Sequence, residues 1–357
     1  MLRCGLFVER ILRSSPTRRS FSTQSNVAQA WNCFTVLRNR GVLEIRGPDT
    51  EAFLHGLCSV DVRDAPQENS LLYTAFLNAT GRVLADAFIY PGHTDANDTS
   101  AEASAWRLEC DRSLLASIAS HLKKYRLRSK VDISDVSDAF SVYAVMGSGV
   151  SNGRALSEKW FPPQTAWQDP RLDTLGLRAL VPSSVATPIN IGAGFKETGP
   201  WVHTILRIEN GLPEGPDDLP SGDCFPLESN IDLANGVSYT KGCYLGQELT
   251  ARTHHRGVVR KRLMPIRVVG SEPLLQNPDV YKLDRSVNSL APVGSPVLLD
   301  GKAIGRLGSS VESVGLALLR LEEVLDGERK GHVLEVGGKQ VVANIPSWWD
   351  PSVYQTE

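Results

Sequence analysis

No apolar run in this 357-residue chain approaches the roughly 20 residues that a membrane-crossing helix needs, which excludes a helical span. No two cysteines stand at C-x-x-C spacing, so neither a closed zinc site nor a self-contained iron–sulfur site is written locally. The six cysteines (Cys4, Cys33, Cys58, Cys110, Cys224 and Cys243) lie far apart and read as free thiols of a reducing compartment. A basic excess is missing too. The formal charge is −2, and a body this acidic makes a poor general nucleic-acid binder. Tandem repeats are absent. Apolar residues at 41% and charged residues at 22% are ordinary for a globular protein long enough to build a real core.

Acids are scarce in one place. Residues 1–21 hold Arg3, Arg10, Arg13, Arg18 and Arg19 against the single acid Glu9, with Leu2, Leu6, Ile11 and Leu12 able to share a helical face. This is the composition of a mitochondrial transit peptide, with processing near Ser22 and delivery to the matrix. Beyond it, Cys33–Leu37 and Val42–Arg46 predict strands joined as a hairpin through Arg38-Asn39-Arg40-Gly41. Asp49 is placed to cap a helix through Phe53 and Leu54. Leu71–Leu77 and Arg82–Tyr90 predict a second hairpin around Asn78-Ala79-Thr80-Gly81, and residues 92–104 a surface loop. Asp111 caps a helix with Leu115, Ile118 and Leu122 inward. Further strands are expected at Phe140–Met146 and Leu177–Val181, and a helix through Trp201, Ile205 and Ile208. From about Lys261 short strands separated by glycine turns predict a small β-barrel, closed by Trp348 and Trp349. The expected fold class is α+β: an N-terminal domain over residues 30–147, a second over 148–260 and the barrel over 262–350.

The segment richest in chemistry is Lys241-Gly242-Cys243-Tyr244-Leu245-Gly246-Gln247-Glu248. Cys243 stands between a lysine and a predicted helix start, a setting that favours the thiolate needed for metal binding or nucleophilic attack. A lone cysteine is more often a buried packing residue, but the flanking glycines and polar Gln247 and Glu248 argue against an apolar niche. Lys241 reads as electrostatic support for the sulfur or as a surface lysine. Gln247 and Glu248 either order the loop by bonding its N–H groups or sit exposed on the helix, and Tyr244 either packs inward or faces a partner. Arg252, His254, His255, Arg256, Arg260, Lys261 and Arg262 then form a basic segment. On an extended strand the two histidines would face opposite ways; the segment reads as a solvated linker or as a dock for an acidic partner or polyglutamate tail.

The octet, with Pro226-Leu227-Glu228-Ser229-Asn230 before it and Arg252 after it, resembles the YgfZ branch of the glycine-cleavage T-protein superfamily. Arg46-Gly47-Pro48-Asp49 with Phe53-Leu54 and Asp61, the hairpin from Leu77-Asn78 to Asp86, and the C-terminal barrel extend the resemblance over nearly the whole chain. It implies a T-protein-like, folate-binding-type architecture. Together with Thr250-Ala251-Arg252-Thr253-His254-His255 and the leader, it implies the mitochondrial iron–sulfur assembly branch, working late in 4Fe–4S maturation with an A-type carrier. An iron–sulfur cluster takes about four protein ligands, so a lone Cys243 implies a transient 2Fe–2S cluster shared with that partner. Nucleic acid and membrane are not expected partners, and the free chain is expected to be a monomer.

The superfamily's other trait is tetrahydrofolate. Arg207-Ile208-Glu209 with Gly211 resembles the T-protein segment whose glutamate meets the pterin ring; the alternative is a Glu209 that merely caps or faces water. Where the T-protein carries two adjacent aspartates, this chain reads Ala85-Asp86, which leaves Asp86 the one candidate catalytic acid and weighs against aminomethyl transfer. The expectations are thus an assembly factor using Cys243, a folate-dependent one-carbon transferase using Asp86, or a thiol redox adaptor with a fast-alkylating Cys243.

Overall fold

A computed structural model gives the structure of residues 32–64, 71–93, 105–147, 150, 161, 165–185, 195–272, 274 and 289–354. The leader at 1–21 and all but the start of the loop expected at 92–104 lie outside these residues. In chain order the elements are β1 (Cys33–Val36), β2 (Arg40–Arg46), α1 (Thr50–His55), β3 (Leu72–Leu77), β4 (Val83–His93), β5 (Ala105–Asp111), α2 (Leu115–Arg126), β6 (Asp132–Asp135) and β7 (Phe140–Met146). There follow β8 (Ala166–Gln168), β9 (Leu177–Pro182), β10 (Lys196–Glu197), α3 (Trp201–Glu209) and α4 (Gln247–Arg256). The last part holds β11 (Lys261–Val268), β12 (Pro296–Leu299), β13 (Lys302–Val311), β14 (Val314–Arg320), α5 (Leu321–Lys330), β15 (Leu334–Val336) and β16 (Lys339–Ala343).

These strands form two five-stranded sheets, β10-β1-β7-β9-β8 and β3-β4-β5-β2-β6, and a closed barrel β11-β14-β13-β12-β15-β16. The α+β class and the terminal barrel are as expected. The first hairpin is not. β1 pairs with β7 in one sheet, and β2 pairs with β5 and β6 in the other. β2 is buried along nearly its whole length, so its backbone groups need a partner on each side; the turn at 38–39 carries the chain across instead of back. The first sheet also draws β1 and β7 from before residue 148 and β8, β9 and β10 from after it, so the division at 147/148 follows chain order and not packing. Asp49 makes no side-chain cap to α1; its Oδ2 accepts from the Lys130 N–H at 2.7 Å and pins the approach to β6 instead. Asp111 caps the 3-10 turn 112–114 that leads into α2, accepting from Ser113 N at 2.9 Å, and not α2 itself.

Strand alternation sorts the side chains. Leu43, Ile45, Phe76, Ala85, Ala87, Ile89 and Leu108 lie on the outer face of the second sheet under Phe53 and Leu54 of α1 and Ile118 and Leu122 of α2. Val42, Tyr73, Phe88 and Tyr90 face the other way and meet Val142, Ala144, Met146 and Leu180 of the first sheet, with Val202, Ile205 and Ile208 of α3. The barrel interior is Met264, Ile266, Val297, Leu307, Leu319 and Trp349. Trp348 donates Nε1–H to Asn210 O at 3.0 Å, so the predicted tryptophan closure also ties the barrel to the end of α3.

The centre of this sandwich is ionic. Arg40 of β2 donates from Nε to Glu109 Oε1 at 2.6 Å, and Arg178 of β9 reaches the same carboxylate from the other sheet at 2.5 and 2.9 Å. Arg178 also bonds Glu214 at 3.1 Å, and Arg171 pairs with Asp169 at 2.8 Å and Glu214 at 2.9 Å. Phe88 lies 3.8 Å beneath the Arg178 guanidinium. Three guanidiniums face four carboxylates once Asp86 is included. The arginines hold Glu109 and Glu214 below the usual carboxylate range against burial, whereas burial pushes Asp86 up. A proton on Asp86 leaves the cluster neutral.

Removing one partner of such a buried set leaves an uncompensated charge, so Glu109→Gln is expected to lower stability by about 3–5 kcal/mol in urea unfolding. Asp86→Asn copies the protonated acid and should cost much less. A raised folded-state pKa gives a contribution present at acid pH and lost as pH rises through that pKa. The difference between Asp86→Asn and the parent should therefore move in favour of the variant as pH rises above the ordinary carboxylate range.

Candidate functional site

The octet lies over the end of α1 and the loop after it. Lys241 donates from Nζ to three carbonyls, His55 O at 2.7 Å, Cys58 O at 2.7 Å and Val60 O at 2.9 Å, and lies 4.8 Å over the Tyr244 ring. Burial lowers its pKa. The ammonium is thus an anchor for the loop, a use that the sequence reading of support for the sulfur did not include. Leu245 N donates to Gly56 O at 3.0 Å, so the chain is tied to the α1 end on both sides of Cys243. Tyr244 is buried in the main core, which resolves its two readings inward, and burial pushes its phenol up to about 12. Gln247 accepts from Tyr244 N at 3.0 Å and closes the turn. Glu248 and Arg252 are exposed on α4.

Cys243 is left at the apex, exposed. The other described cysteines, Cys33, Cys58, Cys110 and Cys224, are buried, and burial raises their thiols, Cys33 and Cys224 to about 11 and Cys110 to about 12. Helix α4 begins at Gln247 behind the left-handed cap Gly246 (φ 81°). Cys243 stands ahead of that cap, and the field of a helix end falls off within its first turn. Exposure and anchoring distinguish this sulfur, not the helix.

Two glycines allow the approach of the second hairpin. A Cβ on Gly246 would fall on Asn78 O and within 2.9 Å of Leu77 Cβ, and one on Gly81 (φ 79°) would fall 2.9 Å from Gly246 O. Asn78 Oδ1 orders this hairpin turn by accepting from Thr80 N and Arg82 N, both at 3.0 Å. Next to Gly242 lies His55, whose Nε2 is 3.7 Å from where a Gly242 Cβ would stand. Its Nδ1 is 3.0 Å from Asp61 Oδ1, and Arg63 holds Asp61 with bonds of 2.8, 2.9 and 3.0 Å. Burial and Lys241 lower the His55 pKa, with Asp61 opposing. Among the described residues no three His, Cys, Asp or Glu side chains converge to hold a metal ion.

The candidates for folate chemistry lie elsewhere. Asp86 is fully buried; its Oδ1 accepts from Gly215 N at 3.0 Å and its Oδ2 stands 4.0 Å from Arg40. Arg207 is buried and donates to Asp218 and to Leu212 O, both at 2.9 Å. Glu209 Oε1 accepts from Leu274 N at 2.8 Å. None of these contacts joins them to the octet. The basic segment begins as helix α4, not as a strand, so His254 and His255 are one helical step apart; His254 stacks on Tyr239 with centroids 3.5 Å apart, and the two imidazoles meet edge to face at 4.9 Å.

Residues 260–351 match the family model described as CAF17, C-terminal beta-barrel domain. The chain is 35% identical over 352 residues to the iron-sulfur cluster assembly factor IBA57 homolog, mitochondrial, of Mycosarcoma maydis, covering 87% of this chain and 83% of that protein. The chain belongs to the IBA57 family. It is also 35% identical over 333 residues to the iron-sulfur cluster assembly factor IBA57, mitochondrial, of Homo sapiens, covering 90% of this chain and 86% of that one. IBA57 relatives are named mitochondrial, and so is the location of this protein. The crystal structure of glycine cleavage system aminomethyltransferase T from Bartonella henselae superposes over 90% of this chain and 88% of that one, with a TM-score of 0.61 at 13% identity. That likeness gives the IBA57 chain its T-protein-type fold.

Sequence reasoning missed His55 and the arginines of the interior. For Arg40, Glu109 and Arg178 a signal existed: charges in strands that are otherwise apolar. For His55 there was none, because its neighbour Gly242 is almost 190 positions away. Gly246→Ala is expected to destabilise this IBA57 chain by about 1–3 kcal/mol through backbone strain and collision with Asn78. The expected companion result in hydrogen exchange is faster exchange of the Leu245 amide, reporting a loosened octet.

Proposed function

We propose that this protein is a matrix iron–sulfur assembly factor acting late in 4Fe–4S maturation, without a turnover of its own. It binds an A-type carrier as a monomer, and Cys243 supplies one ligand to a 2Fe–2S cluster that the two proteins share. The observation that carries this reading is the exposed thiol of Cys243 on a loop fixed at Lys241 and Leu245, beside four described cysteines that are all buried. A cluster needs about four ligands, and a single outward sulfur is suited to completing a set held mostly by someone else. Pre-ordering of the loop lowers the entropy lost on capture. The exposed Arg252, Arg256 and Arg260 on and after α4 offer a positive approach to an acidic carrier surface.

The folate-dependent transferase is the second reading. It is supported by the fold shared with an aminomethyltransferase. Against it, Asp86 is fully buried beside Arg40 and already accepts from Gly215 N, Arg207 is committed to Asp218, and Glu209 already accepts a backbone N–H.

Anaerobic mixing of the full chain with 2Fe–2S-loaded A-type carrier should give a coloured heterocomplex with one copy of each chain by native mass measurement. Cys243→Ser should lose it or weaken it by more than the roughly tenfold that loss of even an outer-shell partner costs a metal site. An unchanged spectrum and stoichiometry with Cys243→Ser would overturn the ligand role.

A further inference from the structure

Residues 112–131 contain no acid, although the chain as a whole carries a formal charge of −2. They form α2 and the turn after it, and this end of the helix gathers Lys123, Lys124, Arg126, Arg128 and Lys130, all exposed. Among the described residues none of the five is paired with a carboxylate. Cations in a last helical turn interact favourably with the helix C-terminus, which accounts for the first three; Arg128 and Lys130 lie beyond the helix. Between them stands Leu127, 85% exposed and the most exposed large apolar side chain among the described residues. Its backbone, with φ 47° and ψ −107°, has a conformation that L side chains rarely adopt. The turn is nonetheless held in place. Ser129 N donates to Arg126 O at 2.8 Å, Val131 N to Ser129 O at 3.0 Å, and Lys130 N to Asp49 Oδ2 at 2.7 Å. A fixed turn thus keeps a leucine out in water, among free cations, despite backbone strain.

We propose that this turn is a docking site for an anionic lipid surface, a peripheral and reversible contact and not a span. Leu127 enters below the headgroups while the five cations meet lipid phosphates. An acidic protein would also attract the cations, but a side chain that is 85% exposed lines no groove in which a peptide could lie. A bilayer, in contrast, receives a projecting apolar side chain. No membrane partner is expected from the sequence, because composition averages over the chain and this charge is confined to one corner of it. One leucine and five cations give a contact that salt weakens, far short of a permanent anchor. Asp49 ties the turn to the start of α1, whereas the octet crosses the end of that helix. The two sites are separate, and the lipid contact does not depend on the ligand role of Cys243.

The test is sedimentation with vesicles of phosphatidylcholine alone or mixed with phosphatidylglycerol, at low and at high salt. Because residues 1–21 are basic as well, both the full chain and the form beginning at Ser22 are used. The Ser22 form should sediment with the mixed vesicles only, and less at high salt. Lys123→Gln and Arg128→Gln should each weaken binding about fivefold, the effect of one cation at an anionic surface. Leu127→Gly should weaken it about tenfold by removing the apolar side chain, while unfolding at the same or higher urea concentration because glycine accepts a positive φ. That variant cannot fail through misfolding of a strained turn. Binding that disappears with residues 1–21 and is unmoved by these variants belongs to the leader and overturns the proposal. Equal binding of Leu127→Gly and the parent overturns the insertion of Leu127. No sedimentation of the unmutated Ser22 form with mixed vesicles also overturns the proposal, and capture of polyglutamate by that form, lost with Lys123→Gln, would assign the turn to an acidic protein instead.

Discussion

The molecule is organised by three guanidiniums and their carboxylates between two sheets. Arg40 and Glu109 come from one sheet and Arg178 from the other, so the sandwich cannot slide or open without separating a charge-assisted bond in a low-dielectric interior. Hydrophobic contact between sheets is tolerant of small displacements; bidentate pairing is not. The cluster therefore acts as a register pin, and the apolar layers around it supply most of the stabilisation. It also occupies the middle of the fold with groups paired to one another, Arg40 Nη1 and Asp86 Oδ2 alone being left without a hydrogen bond. The exposed thiol of Cys243 lies away from that cluster, on a loop at the surface.

How that loop is held follows from the same economy of contacts. Lys241 would be a costly cation to half-bury on its own, but three carbonyls of the α1 end and its following loop take its three protons. One side chain satisfies the end of a helix and fixes the approach to Cys243. On the far side, Gly246 and Gly81 let two backbones touch where any side chain would hold them apart. The position of Cys243 is thus set by one ammonium, by backbone groups and by residues without side chains.

Much of this was legible in the sequence, and the divisions are physical. Strands and helices emerged from periodicity, and the second hairpin from its Asn-Ala-Thr-Gly turn. The partnership of β1 with β7 and of β2 with β5 could not emerge, because pairing depends on which faces need cover and the 38–39 turn is compatible with both outcomes. β14 reads Val-Gly-Leu-Ala-Leu-Leu-Arg, an apolar run with no alternation, and only its place between β11 and β13 marks it as a strand. At the site, Cys243 stood out because glycines and polar residues flank it. The anchoring role of Lys241 was not legible because its acceptors lie more than 180 positions away. His254 and His255 read as part of a solvated strand or linker, yet they lie on α4, where His254 stacks on Tyr239.

The pairing of Cys33 with Met146 and with Lys196 also sets a timetable. β1 is the first strand among the described residues, and its nearest partner in the sheet follows more than 100 residues later. At a synthesis rate of roughly 5–20 residues per second, that is on the order of 5–20 s during which β1 has no ladder to join. Contacts this distant along the chain make folding slow. An unpaired, apolar strand waiting that long is the kind of edge to which chaperones and stray strands bind. The first strand of the described chain is therefore among the last to become secure.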